Sequence, residues 1–597
     1  MSAILGINSF HADAAACLLV DGILVGAVAE ERLGERLKHS PKFPENAIRW
    51  LLESNGLRLR DVTHVAIPRD TSVNRAARVK HVLKNPISGS KAAVEHLRRK
   101  KQTADLLTQL ATICGEDPAT VRFKTVHVEH HLAHVASAYY ASPFEELTAG
   151  LSYDASGDFV SAMTARCEGN KIEVLDRVAL PDSLGFFYTA MCQFIGFEQF
   201  GEEYKVMGLA PYGQDNHRDL MAKLVAPTSN GLFKLGSGYI GMHNGGESGE
   251  LDDRSHLVMG RLYSEKLTAE LGPARRREDP VTQREKDIAR STQVRFEEVA
   301  VSVVDALQKK LGTPRIAMAG GCALNGVANA RILRETGIES PYLQAAASDD
   351  GTCLGAALYC WHNVAGGTER FHMKHAFWGP GYGAEDMRHA AEGALQSADL
   401  EECADQESML ERASWLLSEG LVVGWYQGRS EWGPRALGNR SILANPAEPS
   451  MKETINSKIK RREGFRPFAP SVLLSRAAEY FEQPVDSRFM MHVVKVKPEW
   501  RDRLPAITHV DGTGRLQTVD PESNALYHSL IERFEQRTGI GMLLNTSFNE
   551  NEPVVDRPEQ AVDCFLRTDM DALVLGNLVL VKSSIARELA DRAKASN

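Results

Sequence analysis

The sequence predicts an α/β protein with two domains, the first of which is internally duplicated. A chain of 597 residues is too long for one hydrophobic core, so two or more domains are expected. Two separate stretches in the first 180 residues share one outline of three short strands. A helical pattern followed by an apolar strand then opens a second region beyond residue 398. These three observations predict the architecture.

The first copy of the three-strand outline lies in residues 3–33. It reads as a strand, a polar loop, a second strand, a turn at Asp21-Gly22 and a third strand, and Asp-Gly between apolar alternations is a strong hairpin signal. Residues 147–178 repeat the outline. Such a duplication is typical of the ATP-handling actin, sugar-kinase and Hsp70 class, the ASKHA fold, in which a loop of each half faces the phosphates. Two unrelated hairpins would give the same pattern.

A strand, a glycine pair and a helix are predicted at residues 315–333. Gly320 and Gly321 let the backbone approach a flat ligand, and a helix amino terminus favours anionic groups. The stretch is therefore either a nucleotide-binding loop or a plain strand-to-helix turn. A glycine-rich and aromatic stretch without clean periodicity then predicts a boundary. The predicted parts are a first domain over 1–365, a linker region over 366–398 and a second domain over 399–597.

Composition excludes several classes of protein. Apolar content of 43% and charged content of 25% are those of an ordinary globular chain, and a net charge of −9 argues against a broad nucleic-acid-binding surface. The sequence has no apolar run of about 18 residues to span a membrane and no basic region of a secretory signal. Nine cysteines without a repeated spacing are typical of reduced thiols, so a cytoplasmic location is expected.

Two basic stretches lie in the first domain, at residues 69–101 and 274–290. Charge runs of this kind are typical of solvated helix faces. The alternative is a lid over an anionic ligand.

The hexapeptide EHHLAH at residues 129–134 predicts a metal site. His130 and His134 stand four residues apart, which places both imidazoles on one face of a helix. A zinc protease of the HExxH class needs a glutamate directly after the first histidine. That position is His131, so the protease interpretation fails at its catalytic residue.

Further ligands must come from distant positions. Asp154 ends a predicted strand of the second copy, and Asp349 lies in a predicted strand-to-helix loop. Either aspartate alone is also typical of a helix cap or a turn. Two imidazoles and two carboxylates together suit Fe(II), Mn(II) or Zn(II).

Two residues in the first 40 positions are candidates for contact with the substrates. His11 lies in the polar loop between the first two strands, where an imidazole is suited to act as a general base; the alternative is a core histidine that makes one hydrogen bond. Lys38 follows the third strand and is either a ligand of nucleotide phosphate or a surface lysine.

The second domain holds basic residues framed by glycine, proline and aromatic residues, as in GRSEWGPRALGNRS and KIKRREGFRPFAP. This framing indicates side chains positioned by rigid loops, although structural ion pairs are the alternative. Guanidinium groups bind phosphate oxygens bidentately, so a small dianion is the expected ligand. The candidates are Arg435, Lys460, Arg466 and Arg515, with Asn545, Ser547 and Asn549 as neutral donors and acceptors.

Nine short motifs in this order carry a resemblance to a known family. They are GINSFHADAA, AEERL with KHS, EHHLAHVASAYY, KVMGLAPYG, AGGCALN, SDDGTCLGAA, GPRALGNRS, FRPFAP and NTSFN. Over nearly its whole length the chain resembles the NodU/CmcH-type O-carbamoyltransferases.

The resemblance implies a fold and an activity. The first domain is expected to be similar to the ASKHA-fold metalloprotein of tRNA threonylcarbamoylation, and the second to be a YrdC-like α/β domain that handles carbamoyl phosphate. Carbamoyl phosphate and ATP with Mg(II) would yield a carbamoyl-adenylate, whose carbamoyl group passes to a hydroxyl of a small-molecule natural product, as in antibiotic biosynthesis. The expected partners are these substrates, with no membrane and no nucleic acid, and the resemblance is compatible with a homodimer.

The resemblance also assigns roles to residues. His130, His134, Asp154 and Asp349 match ligands of an iron-type metal, and His11 matches the base for the acceptor hydroxyl. Lys38, Gly320, Gly321 and Asn325 match nucleotide-binding positions. Arg435, Lys460, Arg466, Arg515, Asn545 and Ser547 match the carbamoyl-phosphate pocket.

Two other functions remain open from the sequence. A tRNA threonylcarbamoyl-transfer factor would use a related first domain, but the acidic charge and the second domain disfavour it. An ATP-dependent ASKHA binding module would hydrolyse nucleotide regardless of carbamoyl phosphate, and it leaves the basic residues of the second domain without a role.

Overall fold

The computed structural model describes residues 1–10, 12–75, 78–79, 106–241, 250–251 and 257–595. The chain divides into two units, Met1–Met373 and Lys374–Asn597. The boundary between them lies within the stretch assigned to a linker from the sequence, and residues 374–398 belong to the second unit.

The strands of the first unit are β1 Ala3–Asn8, β2 Ala15–Val20, β3 Ile23–Ala29, β4 Val62–Ile67, β5 Lys124–His127, β6 Thr148–Gly157, β7 Val160–Glu168, β8 Lys171–Ala179, β9 Val225–Pro227, β10 Phe233–Leu235, β11 Glu250–Leu251, β12 Leu257–Val258, β13 Arg315–Ala319 and β14 Ser340–Leu343. Its helices are α1 Glu30–Leu33, α2 Glu45–Ser54, α3 Leu106–Cys114, α4 His130–Tyr139, α5 Leu184–Phe194, α6 Glu203–Leu209, α7 Arg218–Leu224, α8 Glu265–Leu271, α9 Gln283–Leu311, α10 Gly326–Glu335 and α11 Thr352–Asn363.

The first unit is a duplication. Its two five-stranded sheets have the orders β3-β2-β1-β4-β5 and β8-β7-β6-β13-β14. In each sheet the first three strands pair antiparallel and the last two continue in parallel. The predicted ASKHA-type duplication is therefore confirmed by strand order and direction.

The helix that follows the fifth strand of each sheet lies at the centre of the unit. These helices, α4 and α11, pack against each other. A Cβ on Gly355 of α11 would overlap the carbonyl of Ala133 on α4, so the glycine permits the close approach. The amino-terminal ends of both helices carry predicted metal ligands.

The expectation for the two basic stretches is partly wrong. Most of residues 69–101 lie outside the described residues. In the second stretch, Arg275 is not solvated but buried, and its guanidinium donates to the carbonyls of Ile195 and Gly196 at 2.6 and 3.3 Å. A charge run in the sequence does not reveal such a loop, because the carbonyl acceptors lie 80 residues away.

The strands of the second unit are β15 Ala398–Glu402, β16 Val423–Tyr426, β17 Arg440–Ala444, β18 Ala469–Leu473, β19 His492–Lys495, β20 Thr513–Val519, β21 Met542–Ser547, β22 Ala572–Leu575 and β23 Leu578–Lys582. Its helices are α12 Ala384–Glu392, α13 Gln406–Ser418, α14 Met451–Thr454, α15 Ala477–Tyr480, α16 Pro498–Arg501, α17 Pro521–Thr538, α18 Pro558–Arg567 and α19 Ser583–Ala595.

The second unit is the predicted α/β domain. Its nine strands form one mixed sheet in the order β15-β23-β22-β16-β17-β21-β18-β20-β19. The central strands β16, β17 and β18 are buried along their whole length, as expected for strands covered on both faces. The neighbours β17, β21, β18 and β20 position the basic residues predicted from the sequence.

Two further expectations concern the compartment. Within the described part of the chain, no helix combines the length and apolar character needed to cross a membrane. All nine cysteines are free thiols.

Candidate functional site

The first unit brings together the four residues predicted as metal ligands. His130 Nε2 lies 3.1 Å from His134 Nε2 and 3.2 Å from Asp349 Oδ1. His134 Nε2 lies 3.3 Å from both Asp349 Oδ1 and Asp154 Oδ2. One ligand atom of each residue lies within 4.8 Å of all the others. We call this set the four-donor cluster.

Carboxylates outside the four-donor cluster fix the start of α4. Asp158 Oδ2 accepts the backbone N–H of His130 at 3.0 Å, which satisfies one of the helix's open donors. The Arg177 guanidinium donates to both oxygens of Glu129, at 2.9 and 2.7 Å. The hydrogen bond to its backbone thus fixes the position of His130 at the start of α4.

The histidine between the two ligands serves the structure. His131 is fully buried, with Nδ1 2.7 Å from Ser152 Oγ and Nε2 2.9 Å from the Val160 carbonyl oxygen. Burial lowers the pKa of this imidazole, so it is neutral at pH 7. Its two hydrogen bonds join α4 to strands β6 and β7.

The carboxylate of Asp154 is oriented by backbone donors. The N–H groups of Ala155 and Gly321 each donate to one of its oxygens at 2.6 Å. Gly320 has a positive φ of 95°, and a Cβ there would overlap the Tyr153 carbonyl. Gly320 is therefore required for this loop to reach Asp154.

The electrostatics of the four-donor cluster favour a positive charge. Burial alone would lower the pKa of His134, but the carboxylates of Asp154 and Asp349 outweigh it and raise the pKa to about 9. The donor set of two imidazole nitrogens and two carboxylates suits borderline divalent metals. The residues present therefore fit a bound divalent ion.

The predicted nucleotide residues are only partly brought together. Gly320 and Gly321 adjoin Asp154, as described above. The Asn325 side chain caps α10 by accepting the Ala328 N–H at 3.1 Å and exchanges two hydrogen bonds with Gln293, of 3.0 and 3.1 Å. Lys38 is exposed on the segment after α1. The predicted base, His11, lies outside the described residues.

In the second unit, guanidinium groups share one region. The pKa of Arg515 lies well below its usual range because of burial first and then the positive charges of Arg435, Arg462 and Arg466. Three of these four arginines were predicted, whereas Arg462 was missed although it stands in the same basic motif. We call the four residues the cationic cluster. Like charges gathered in this way suit an anionic ligand.

Lys460 lies apart from solvent and is held by protein oxygens. It is 1% exposed, and Nζ donates to Asn549 O at 2.7 Å and to Asn549 Oδ1 at 2.6 Å. It also donates to the Ser547 carbonyl and lies 3.3 Å from Ser547 Oγ. The structure thus joins Lys460 to the predicted Ser547 and Asn549 at the end of β21.

Asn545 belongs to a buried polar network across three strands. Its Nδ2 donates to Ser471 Oγ and Gln517 Oε1 at 3.0 Å each and to the Ala436 carbonyl at 3.1 Å. Its Oδ1 is buried with no hydrogen-bond partner among the described residues. The hydrogen bond to the Ala436 carbonyl holds the loop that carries Arg435. Asn545 Oδ1 is left as an acceptor for a bound ligand.

Sequence reasoning missed two residues of the motif GRSEWGPRALGNRS. Glu431 is 3% exposed, and its Oε1 accepts the N–H groups of Leu437, Asn439 and Arg440 at 2.8, 2.9 and 3.1 Å. The guanidinium of Arg440 is fully buried, donates to the Gln427 carbonyl at 2.6 Å and stacks on the Tyr426 ring at 3.7 Å. The glycines and the single proline of the motif were the available signal of a rigid loop, but the central role of the Glu431 carboxylate was not recognised.

Comparisons with known proteins agree with the two-unit organisation. A family model described as "Carbamoyltransferase N-terminus" matches residues 3–358, and one described as "Carbamoyltransferase C-terminus" matches residues 414–582. The nodulation protein NolNO of Sinorhizobium fredii is 37% identical over 97% of this chain and 80% of its own length. An uncharacterised protein of Synechocystis is 36% identical over 98% of this chain and 97% of its own length.

Among solved structures, (R)-2-hydroxyglutaryl-CoA dehydratase component A of Acidaminococcus fermentans matches at 16% identity with a TM-score of 0.29. The match covers 61% of this chain and the whole of that one.

Proposed function

This chain belongs to the carbamoyltransferase family, and from that premise we propose that it uses carbamoyl phosphate and ATP to carbamoylate a hydroxyl of a small natural product. It is an O-carbamoyltransferase. The observation that carries the donor assignment is the cationic cluster together with buried Lys460, a combination suited to a small phosphorylated dianion.

The donor site is expected to bind the phosphate group of carbamoyl phosphate. Arg435, Arg466 and Arg515 would donate bidentately to the phosphate oxygens, while Lys460 holds Ser547 and Asn549 in place.

The four-donor cluster is proposed to serve the transfer step. His130, His134, Asp154 and Asp349 would hold a divalent ion, for which Fe(II) is our first choice and Mn(II) or Zn(II) the alternatives. When bound, such an ion supplies Lewis-acid polarisation of a carbonyl or phosphoryl oxygen. The residues around it contribute a preorganised, largely buried frame, since Asp154 and α4 are fixed by backbone hydrogen bonds.

The transfer balances as follows. The acceptor hydroxyl oxygen bonds to the carbamoyl carbon, the bond from that carbon to the adenylate oxygen breaks, and AMP leaves. The hydroxyl proton passes to a base, which we assign to His11. A base of this kind typically contributes about 10²–10⁴-fold.

The function is tested by incubating the protein with ATP, carbamoyl phosphate and a panel of hydroxylated natural products. Pyrophosphate release that depends on carbamoyl phosphate, and a mass gain of one carbamoyl group on an acceptor, are the expected results. Nucleotide hydrolysis indifferent to carbamoyl phosphate would instead favour an ASKHA binding module.

The role of His11 is tested separately. The variant His11→Asn should abolish transfer to the acceptor but leave carbamoyl-adenylate formation intact, because the base acts only in the second step. Equal loss of both steps would refute the assignment.

A cytoplasmic location is proposed on the nine free thiols, which are typical of a reducing compartment.

A further inference from the structure

Asp13 links two loops of the first unit that the proposed chemistry does not explain. One of its oxygens, Oδ1, lies 2.6 Å from His39 Nδ1, and the other, Oδ2, accepts from Ser348 Oγ at 2.8 Å. Asp13 follows β1, His39 follows α1, and Ser348 lies in the loop between β14 and α11. We call these three residues the Asp13 triad. It ties the segment between the first two strands to the loop that carries Asp349.

Backbone strain is concentrated around the Asp13 triad. Phe10, Asp13, Arg36 and His39 have positive φ values of 56°, 59°, 55° and 55°. Non-glycine residues rarely adopt this left-handed region, and such conformations persist only where the surrounding structure holds them, often at functional sites. The strain therefore indicates that the placement of Asp13 and His39 is maintained for a purpose beyond a simple turn.

The His39 ring is held on several sides. Its backbone N–H donates to Glu31 Oε2 at 2.9 Å, and its ring packs edge-on against Phe200, with centroids 5.0 Å apart. A Cβ on Gly201 would overlap the ring at Nε2, so the backbone of that residue lies directly against the imidazole. The ring cannot turn away from Asp13 without displacing these neighbours.

The charges around His39 favour its protonated form. Burial alone would lower the pKa of His39, but Asp13 and, more weakly, Glu31 outweigh it and raise the pKa to about 9, against a small opposing effect of Lys38. Burial raises the pKa of Glu203 on α6, and the positive charge of His39 partly offsets that rise. At pH 7 the His39–Asp13 contact is therefore an ion pair, with side chains 31% and 13% exposed.

We propose that Asp13 and His39 are positioning residues that hold Ser348, and through it the adjacent Asp349, in place for the ion of the four-donor cluster. The inference rests on the proposed ion site. The loop that carries Ser348 is tied on its other side, since the Gly320 N–H donates to the Ala347 carbonyl at 2.7 Å. Loss of the Asp13 triad would remove the contact that fixes the Ser348 side of this loop.

The test measures Mn(II) binding directly, by titration followed with electron paramagnetic resonance. Supporting groups around metal ligands typically change metal affinity by about 10–100-fold, so His39→Gln and Ser348→Ala should each weaken Mn(II) binding in that range. Ser348→Ala is the milder variant and remains informative if His39→Gln unfolds. The control is His389→Gln, which removes an exposed histidine 3.5 Å from the Glu392 carboxylate and should bind Mn(II) like the wild type.

A pH series separates positioning from general destabilisation. A histidine with a raised pKa contributes fully below its unfolded value and loses that contribution as the pH rises through the folded value. The ratio of wild-type to His39→Gln affinity should therefore fall towards one as the pH rises through about 9. Taking the ratio cancels the protonation of the metal ligands themselves, which both proteins share.

The outcomes are distinguishable. A wild-type protein that binds no Mn(II), Fe(II) or Zn(II) would overturn the proposed ion site and this inference with it. A wild-type protein that binds Mn(II), alongside folded His39→Gln and Ser348→Ala variants of equal affinity, would overturn only the positioning role. A ratio that stays constant across the pH series would also contradict it.

Discussion

The four-donor cluster and the cationic cluster differ in how their charges are balanced. In the first, imidazole and carboxylate atoms lie 3.2–3.3 Å apart and attract one another even without an ion. In the second, the charges of Arg435, Arg462 and Arg466 act on Arg515 and lower its pKa. In the four-donor cluster the opposite charges therefore largely balance one another. In the cationic cluster the guanidinium groups repel one another, and an added anion would reduce that repulsion.

The two clusters share a means of support. In the first unit, two backbone N–H groups donate to Asp154. In the second, three backbone N–H groups converge on Glu431 Oε1. In both cases, hydrogen bonds between a carboxylate and backbone N–H groups fix a loop, and we call this arrangement the frame. The frame, and not a bound substrate or ion, determines where the functional groups lie. The predictions below separate the frame from the groups it presents.

The largest effect is expected from the four-donor cluster itself. His134→Ala removes an imidazole that contacts both carboxylates, and a metal-polarised step is worth several kcal/mol, so transfer should fall by on the order of 10³-fold. The metal content of the purified variant, measured by mass spectrometry, should fall with it. The control is His131→Gln, which changes the neighbouring histidine without removing a metal ligand. The folded variant should retain its metal. Full activity of a metal-free wild-type protein would contradict the assignment.

A smaller effect is expected from one arginine of the cationic cluster. Charge-assisted hydrogen bonds contribute about 1.5–3 kcal/mol, so Arg515→Gln should raise the KM for carbamoyl phosphate about 10–100-fold. Metal content should be unchanged. Arg388→Gln, which removes an exposed guanidinium paired with Glu402, is the matched control. An unchanged KM in Arg515→Gln would show that the cluster does not bind this donor.

A change at Glu431, which supports the loop of Arg435, should have a smaller effect than Arg515→Gln. Glu431→Gln weakens the acceptor of three N–H groups, and a buried hydrogen-bond group that loses its partner costs about 1–3 kcal/mol. Thermal unfolding should shift to lower temperature, and the KM for carbamoyl phosphate should rise about 10-fold as Arg435 loses its fixed position. The exposed Glu479→Gln serves as the control. A raised KM without any loss of stability would make Glu431 a ligand instead of a support.

The sequence predicted the strands and the grouping of the four donor residues better than it predicted the residues that support them. The spacing of His130 and His134 is a local property of one helix, so it survives folding unchanged. The three-strand outline is equally local, and both copies form as predicted.

The residues that position the functional side chains could not be predicted, because their contacts join distant segments of the chain. Arg435 and Arg440 stand five residues apart in one motif, yet only the second is buried against the Gln427 carbonyl and the Tyr426 ring. Nothing in residue type distinguishes the two. His39 and Ser348 are separated by more than 300 residues, and only the fold reveals that Asp13 joins them. The roles assigned to the metal, nucleotide and carbamoyl-phosphate residues, and to His11 and Lys38, stay predictions.

The smallest effect concerns Asn325, whose amide caps α10 and pairs with Gln293. Removing a helix cap costs about 0.5–2 kcal/mol, so Asn325→Ala should lower the free energy of unfolding by about that amount in a denaturant titration. Asn325→Asp keeps the capping oxygen but loses the Nδ2 donor, and it should stay closer to the wild type. If Asn325 also binds nucleotide, the KM for ATP should rise in both variants. An unchanged KM for ATP in both would leave this residue as part of the frame beside Asp154, with no direct role in the site.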